Sequence, residues 1–564
     1  MKKLILKNKI KVAVLATAIL SFASFAFVDE YFEVSKNLDI FSSLYREVNI
    51  YYVDSVDPGK LMKKGIDEML NTLDPYTNYI PESDIEDYRF MTTGQYGGIG
   101  AVIRQKGDYI AVSDPYEGFP ADKAGLRAGD VILEIDGKST KFKKTDQISH
   151  LLKGSPKTEV KLLIQREGEA KTFERTLTRE EIKVKSVPYF GMLDNNIGYI
   201  KLNGFTENAS KDVANALKEL KSNNKLTGLV FDLRGNPGGL LNEAVNISNI
   251  FVSKGQEIVS TKGKMKDLYH SYKAINEAID TEIPLAVIVN SGSASASEIV
   301  SGSLQDLDRA VIIGQRTFGK GLVQTTRPLS YNAQLKITTS KYYIPSGRCI
   351  QALDYTHRNE DGSVGKIPDS LVTEFKTKDG RKVYDGGGVK PDFITPPKKL
   401  SSICQSLLSK SLIFDYASRY RTFHDNINTG NFQLTETDWN DFLSFLSGKE
   451  YDYATKSEKA LDDFKKNTED ELYYTNLKND IDGLKDKLKH DKQSDILKNR
   501  TDITSLLEDE IVSRYGYQKG RIKESLTHDD DVKKALEILY DGSLYSGILN
   551  GTVNANVDVK NESK

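Results

Sequence analysis

Serines crowd one short stretch of this chain, Asn290-Ser-Gly-Ser-Ala-Ser295-Ala-Ser-Glu298, directly after the apolar run Leu285–Val289. Small residues at a strand-to-helix turn leave room for a substrate backbone and set a hydroxyl over the end of a sheet, as a serine nucleophile requires. The same letters also fit a helix capping box, Ser295-x-x-Glu298, in which the serine only starts a helix. No histidine lies in this block, so a nucleophilic serine needs another base, and Lys320, framed by Gly319 and Gly321, is the available one. A free lysine titrates at about 10.4, so burial near Phe318 and Val323 would have to lower it. A competing reading makes Gly314-Gln-Arg-Thr-Phe-Gly-Lys320 a phosphate loop. Gly321 then stands where Ser or Thr should meet Mg²⁺, which argues against nucleotide hydrolysis.

A third signal is Tyr96-Gly-Gly-Ile-Gly100, followed by Pro120-Ala-Asp-Lys-Ala-Gly-Leu-Arg-Ala-Gly-Asp130. Together these resemble a PDZ domain. The resemblance implies that the backbone of Gly98, Ile99 and Gly100 captures a substrate's terminal carboxylate while the peptide adds as a strand beside Ala101–Ile103. Other chemistries are disfavoured. Two cysteines and six scattered histidines give no metal-ligand spacing, and no metal or organic cofactor is expected. Lysine plus arginine number 78 against 80 acids, a net charge of −2, so no basic excess invites nucleic acid.

These residues must be positioned by folded elements. Residues about 30–95 read helical, with Phe41, Leu44, Val48 and Tyr51 at helical spacing and Leu61, Ile66, Met69 and Leu70 repeating the pattern. Residues about 96–182 read as a small β-rich unit with strands Gly100–Ile103, Tyr109–Val112, Val131–Ile135 and Val160–Gln165. From about 188 to 395 strands alternate with helices. Ile197–Lys201, Leu226–Asp232, Leu285–Val289 and Ala310–Ile313 are the strands; Ser210–Ser222, Asn242–Val252 and Ala296–Gln305 are the helices. That alternation predicts a mostly parallel sheet with helical crossovers. No proline follows Pro397, and the composition turns to Lys, Asp, Leu and Tyr, so residues about 400–545 read as a helical module before a polar tail.

The serine and lysine blocks, together with Asp232-Leu-Arg-Gly-Asn-Pro-Gly-Gly239, Thr338-Thr-Ser-Lys-Tyr-Tyr-Ile-Pro-Ser-Gly-Arg348, Gly388-Val-Lys-Pro-Asp392 and Leu73-Asp-Pro-Tyr-Thr77, resemble the carboxy-terminal processing peptidases, or tail-specific proteases. The similarity spans residues about 40–395. It implies Ser295 as nucleophile, Lys320 as general base and Gln324 as the residue orienting that lysine, with Ser293 and Ser297 as flanking serines. It also points to an oxyanion hole built from the Ala296 N–H and that of Gly238 or Gly239, a choice the sequence leaves open. The fold implied is multidomain α/β: a crotonase-like serine protease core, an N-terminal helical region, an inserted PDZ domain and a C-terminal helical module.

Lys2, Lys3, Lys7, Lys9 and Lys11 precede the uncharged run Val12–Val28, which matches a secretory signal peptide or an uncleaved N-terminal anchor. The expected organisation is therefore 1–28 signal or anchor, 29–95 helical region, 96–182 PDZ domain, 183–397 peptidase core, 398–550 helical module and 551–564 tail. The expected function is an exported serine endopeptidase of the periplasm or cell envelope. It would cleave proteins near their C-termini, with the PDZ domain holding the tail or gating the site. Its partners are protein substrates recognised by their tails; a membrane anchor and homo-oligomerisation are compatible with this. The alternative is a catalytically inactive PDZ scaffold of the cell envelope, against which the intact Ser295, Lys320 and Gln324 set argues.

Overall fold

A computed structural model describes residues 31–223, 225–453, 455–488 and 492–553; the leader Val12–Val28 and the last residues of the tail lie outside them. The chain divides into two compact units, 1–79 and 80–564. In the first, residues 31–51 are helical and a second helix, Pro58–Asn71, starts on an Asp57 side-chain cap with proline at its first turn. The expected helical spacing is present, but Phe41, Leu44 and Tyr51 remain 45%, 57% and 76% exposed. Asp74 then closes a turn by accepting the Tyr76 and Thr77 N–H groups at 2.8 and 2.9 Å.

In the second unit, the β-rich part is one antiparallel sheet of strands including Ala101–Lys106, Tyr109–Pro115, Val131–Ile135, Glu159–Gln165 and Phe173–Thr178. Ile110, Val112, Ile132, Ile148, Leu162 and Ile164 form its core together with the helix Thr145–Leu152. A two-stranded ribbon, Gln95–Gly98 against Glu180–Lys183, joins its two ends to the rest.

Residues 189–394 carry a six-stranded sheet. Tyr189–Met192 is antiparallel to Ile197–Lys201, and Gly228–Asp232, Leu285–Val289, Val311–Gly314 and Phe393–Ile394 then add in parallel. The expected strands and helices are all present, with ends shifted by up to three residues. The central strands are buried on both faces, as continuous apolar runs dictate. Helices Ala209–Asn223, Leu241–Asn249 and Ala296–Asp306 cover one face. A second sheet, which includes Leu322–Pro328 paired with Gln334–Tyr343, stands beside it.

The C-terminal residues form helices from Ser402 to Leu549. The first of them enclose their own core around Tyr416, Trp439, Phe442 and Leu507. The last two, Asp530–Tyr540 and Gly542–Leu549, instead close the other face of the six-stranded sheet, where Val532, Ala535 and Ile538 meet Tyr199, Val230 and Ile288. The module thus completes the core of that sheet as well as forming a domain beside it.

Candidate active site

Three loops meet at the carboxyl ends of neighbouring parallel strands, the place where open α/β sheets bind ligands. They follow Asp232, Val289 and Gly314. The middle loop ends at Ser295, immediately before the helix Ala296–Asp306. Ser295 is not glycine, yet its φ is 54° and ψ −111°. Such a backbone costs about 1–3 kcal/mol and persists only when the surroundings impose it.

Glu298 imposes it. Its fully buried carboxylate accepts the Ser295 N–H at 2.8 Å on one oxygen, and the same oxygen accepts the Lys320 N–H at 2.9 Å. The other oxygen takes the Gly319 N–H at 2.7 Å and the Thr317 hydroxyl at 2.5 Å. Burial pushes the Glu298 carboxyl up to about 7, against the pull of these four donors toward the charged form. One side chain thereby pins the serine loop to the lysine loop. It also disposes of the phosphate-loop reading, since a carboxylate occupies the N–H groups a phosphate would need. Only half of the capping box expected of Ser295 and Glu298 forms: Glu298 accepts the Ser295 N–H, while the Glu298 N–H goes to the Ser295 carbonyl at 2.8 Å and not to its hydroxyl. Tyr342, almost wholly buried, donates its hydroxyl to the Ser295 carbonyl at 3.3 Å.

The flanking serines differ in kind. Ser293 Oγ donates to the Leu233 carbonyl and Ser297 Oγ to the Asn236 carbonyl, each at 2.9 Å, and both residues are fully buried. They tie the serine loop to the glycine turn. Ser295 is half-buried and lines the cleft.

In that turn, Asn236 Oδ1 accepts the Gly238 N–H at 2.9 Å while Asn236 Nδ2 donates to the Leu202 carbonyl at 2.9 Å. Among the described residues neither the Gly239 nor the Ala296 N–H is drawn into a hydrogen bond. Both positions of the glycine pair need glycine. A Cβ on Gly238 would stand 2.9 Å from the Ser295 Cβ, and one on Gly239 only 2.4 Å from the Phe205 carbonyl oxygen.

Arg234 anchors the start of the turn. It pairs with Asp232 at 2.7 Å and, from the C-terminal module, with Asp529 at 2.7 Å and Asp531 at 2.9 Å. Burial would raise the Asp232 carboxyl, but Lys201 and Arg234 hold it well below the usual carboxylate range.

Ser295, Lys320, Gln324, Gly238, Gly239 and Ala296 all line one cleft of about 600 Å³. Gln324 Nε2 donates to Thr338 Oγ1 at 3.1 Å, so its amide oxygen is the end left for another donor. A separate groove of about 390 Å³ runs between strand Ala101–Lys106 and helix Thr145–Leu152; Ile99 lines it, while Gly98 and Gly100 do not. Gly98 instead sits in the ribbon, paired with Glu180, and the Gly100 carbonyl accepts the Tyr116 N–H at 2.9 Å. Phe90 lines both the groove and the cleft. Sequence reasoning named Glu298 only as a capping partner and gave Asn236 and Tyr342 no role, although all three lie inside the quoted motifs. No group of three or more potential metal ligands occurs among the described residues.

Comparison with known proteins identifies the domains. Residues 196–357 match the model of peptidase family S41, residues 112–166 that of a PDZ domain, and residues 403–539 one described as the C-terminal helical domain of a probable PDZ-protease. The chain is 40% identical over 324 residues to a carboxy-terminal-processing protease of Bartonella bacilliformis, covering 57% of this chain and 74% of that protein. It is 38% identical over 347 residues to a probable CtpA-like serine protease of Staphylococcus aureus (strain COL), covering 60% and 68%. Among solved structures, the photosystem II D1 C-terminal processing protease is 29% identical with a TM-score of 0.35, covering 64% of this chain and 93% of that one. This chain belongs to the carboxy-terminal-processing proteases of peptidase family S41, and it is a serine-type peptidase with a PDZ domain and a C-terminal helical domain.

Proposed function

We propose that the chain is an exported endopeptidase that cuts protein substrates near their carboxyl termini by a Ser–Lys mechanism. The observation that carries this reading is the single buried carboxylate of Glu298, which holds the backbones of Ser295 and Lys320 on one oxygen at the edge of the cleft.

In the reaction, Lys320 as a neutral amine takes the proton from Ser295 Oγ, and the oxygen forms a bond to the scissile carbonyl carbon. Gln324, its NH₂ committed to Thr338, presents its amide oxygen to the amine and aims the lone pair. The negative charge on the tetrahedral oxygen is met by the Ala296 N–H at the helix start and by the Gly239 N–H. Engagement of the Gly238 N–H by Asn236 favours Gly239 over its neighbour. Collapse breaks the C–N bond, and the lysine returns its proton to the departing amine. Water, deprotonated by the same lysine, then hydrolyses the acyl-serine and restores Ser295.

Tail recognition follows from the groove beside Ala101–Lys106, where a peptide can add as a strand. Phe90 borders both cavities, which supports a substrate held by its tail in the groove reaching the cleft. Amidating the substrate's C-terminus should raise KM; equal processing of amidated and free tails would remove the carboxylate from the account.

The basic start and the apolar run Val12–Val28 support export to the periplasm or cell envelope, with the leader cleaved or kept as an anchor. Among the described residues no helix is long and apolar enough to cross a membrane. Fractionation that finds the native protein free in the cytosol with its N-terminus intact would overturn export. The test of the activity is mass spectrometry of tailed substrate proteins. Wild type should release C-terminal fragments and Ser295→Ala none, with turnover reduced at least about a thousandfold and an unchanged thermal midpoint. A capping serine would show the reverse, about 1 kcal/mol of lost stability with activity retained.

A further inference from the structure

The cleft's charge is one-sided. Three lysines line it, Lys185, Lys320 and Lys336, and among its described lining residues none is an aspartate or glutamate. Lys320 has its role in the mechanism. Lys336 has none. Three other part-buried lysines are matched with acids: Lys201 with Asp232 at 3.1 Å, Lys106 with Asp415 at 2.9 Å and Lys153 with Asp87 at 2.6 Å. Lys336 is half-buried and makes no ion pair among the described residues. Burial alone lowers its ammonium's pKa, with no opposing acid to raise it. A partly dehydrated cation facing an open cleft is stabilised by any anion that enters, and it disfavours a cation there.

The position of Lys336 gives the subsite an address. On strand Gln334–Tyr343 it lies directly across from Thr326, and Thr338, the anchor of Gln324, lies across from Gln324. Thr326 and Gln324 are two residues apart on one strand and so share a face, about 7 Å from each other. An extended substrate advances at a similar rise, so Lys336 addresses a residue within about three of the scissile bond. The Tyr88 hydroxyl, hydrogen-bonded to Thr326, closes that end of the cleft.

We infer that Lys336 forms a carboxylate subsite of the cleft and selects substrates with a carboxylate within about three residues of the cut. This rests on the cleft being where peptide is cleaved. The carboxylate is either an internal Asp or Glu side chain or a free chain terminus.

Matched peptides with a single Asp or Asn scanned through the positions flanking the cut, each with a free or amidated C-terminus, separate the sources. Binding to Ser295→Ala, read by fluorescence anisotropy, measures selection without chemistry, and wild-type kcat/KM measures it with chemistry. The expected result is an Asp-over-Asn preference of roughly tenfold or more at one position. In Lys336→Gln it should fall to near unity, and in Lys336→Arg it should return. If the preference instead follows the free against the amidated terminus, and is lost in Lys336→Gln, the terminal carboxylate is the ligand. Equal binding of every Asp and Asn pair and of free and amidated tails, or a preference that survives in folded Lys336→Gln, would overturn the subsite. Failure of wild type to cut any peptide would strike the proteolytic reading instead, and the anisotropy ratio would then decide for or against Lys336 by itself.

Discussion

Two cavities lie along the chain on either side of the glycine turn, and their charges are opposite. The cleft that holds Ser295 and Lys320, about 600 Å³, is lined by lysines with no lining acid among the described residues. The second, about 1010 Å³, lies between the C-terminal helices and the end of the protease sheet and is lined by Asp502, Asp509, Asp529, Asp530, Asp531 and Glu537. Most of those acids are matched inside the chain. Asp529 and Asp531 hold Arg234, Asp509 meets His528 at 3.4 Å, and Asp502 meets Lys398 at 3.4 Å. Charges satisfied internally brace; a charge left facing a cleft, as Lys336 is, has an incoming chain to meet. Arg234 belongs to the bracing cavity, yet two residues later Asn236 begins the hydrogen bonds of the glycine turn beside Ser295. The brace therefore reaches the chemistry.

The strongest way to sharpen the contrast is on the cleft side. Gly239→Ala forces a Cβ against the Phe205 carbonyl and displaces the N–H assigned to the oxyanion. We expect kcat to fall about 10²–10³-fold with KM little changed. Steady-state kinetics would break the assignment if kcat held in the folded variant.

On the bracing side, Arg234→Met removes the cation shared by Asp232, Asp529 and Asp531 and leaves Asp232 to Lys201 and the Tyr199 hydroxyl. Breaking such a buried set costs about 3–5 kcal/mol, read as a lower thermal or denaturant midpoint. Because the turn is anchored there, kcat should drop more than KM rises. A stable variant with full turnover would make the two cavities independent.

The smallest effect concerns Glu298, the buried acid that joins the serine and lysine loops. Its folded-state pKa, about 7, lies above the ordinary value of 4.5. Its stabilising contribution is therefore complete below about 4.5 and is lost as pH rises through about 7. The stability of wild type relative to Glu298→Gln should decline over that window and then level. A difference that stays flat between pH 4.5 and 8 would mean that this carboxyl is not perturbed.

How much of this could be read from the sequence depends on contact range. Strands Ile197–Lys201, Val131–Ile135 and Leu285–Val289 lie where their apolar runs and alternation placed them, and the serine loop ends where the helix was expected to start. The cleft's members were legible as motifs, because each is a short string of unusual composition. What joins them was not. Glu298 reaches Lys320 across 22 positions and Arg234 reaches Asp529 across 295, distances over which a single sequence carries no pairing signal. Lys336, a charged residue in an alternating strand, reads as solvent-facing until the cleft is seen beside it. The last two helices read as part of a separate module because their apolar face, Val532, Ala535 and Ile538, does not name the sheet it covers.

The central claim is that Lys320, as a neutral amine, activates Ser295, and Lys320→Arg tests it most directly. Guanidinium keeps charge and approximate bulk but does not deprotonate in proteins. Turnover on a tailed protein substrate, measured with the thermal midpoint of the same preparation, should fall at least about a thousandfold in a folded variant, and adding Ser295→Ala should cost little more because the pair acts as a unit. Substantial peptidase activity in folded Lys320→Arg would contradict the Ser–Lys mechanism.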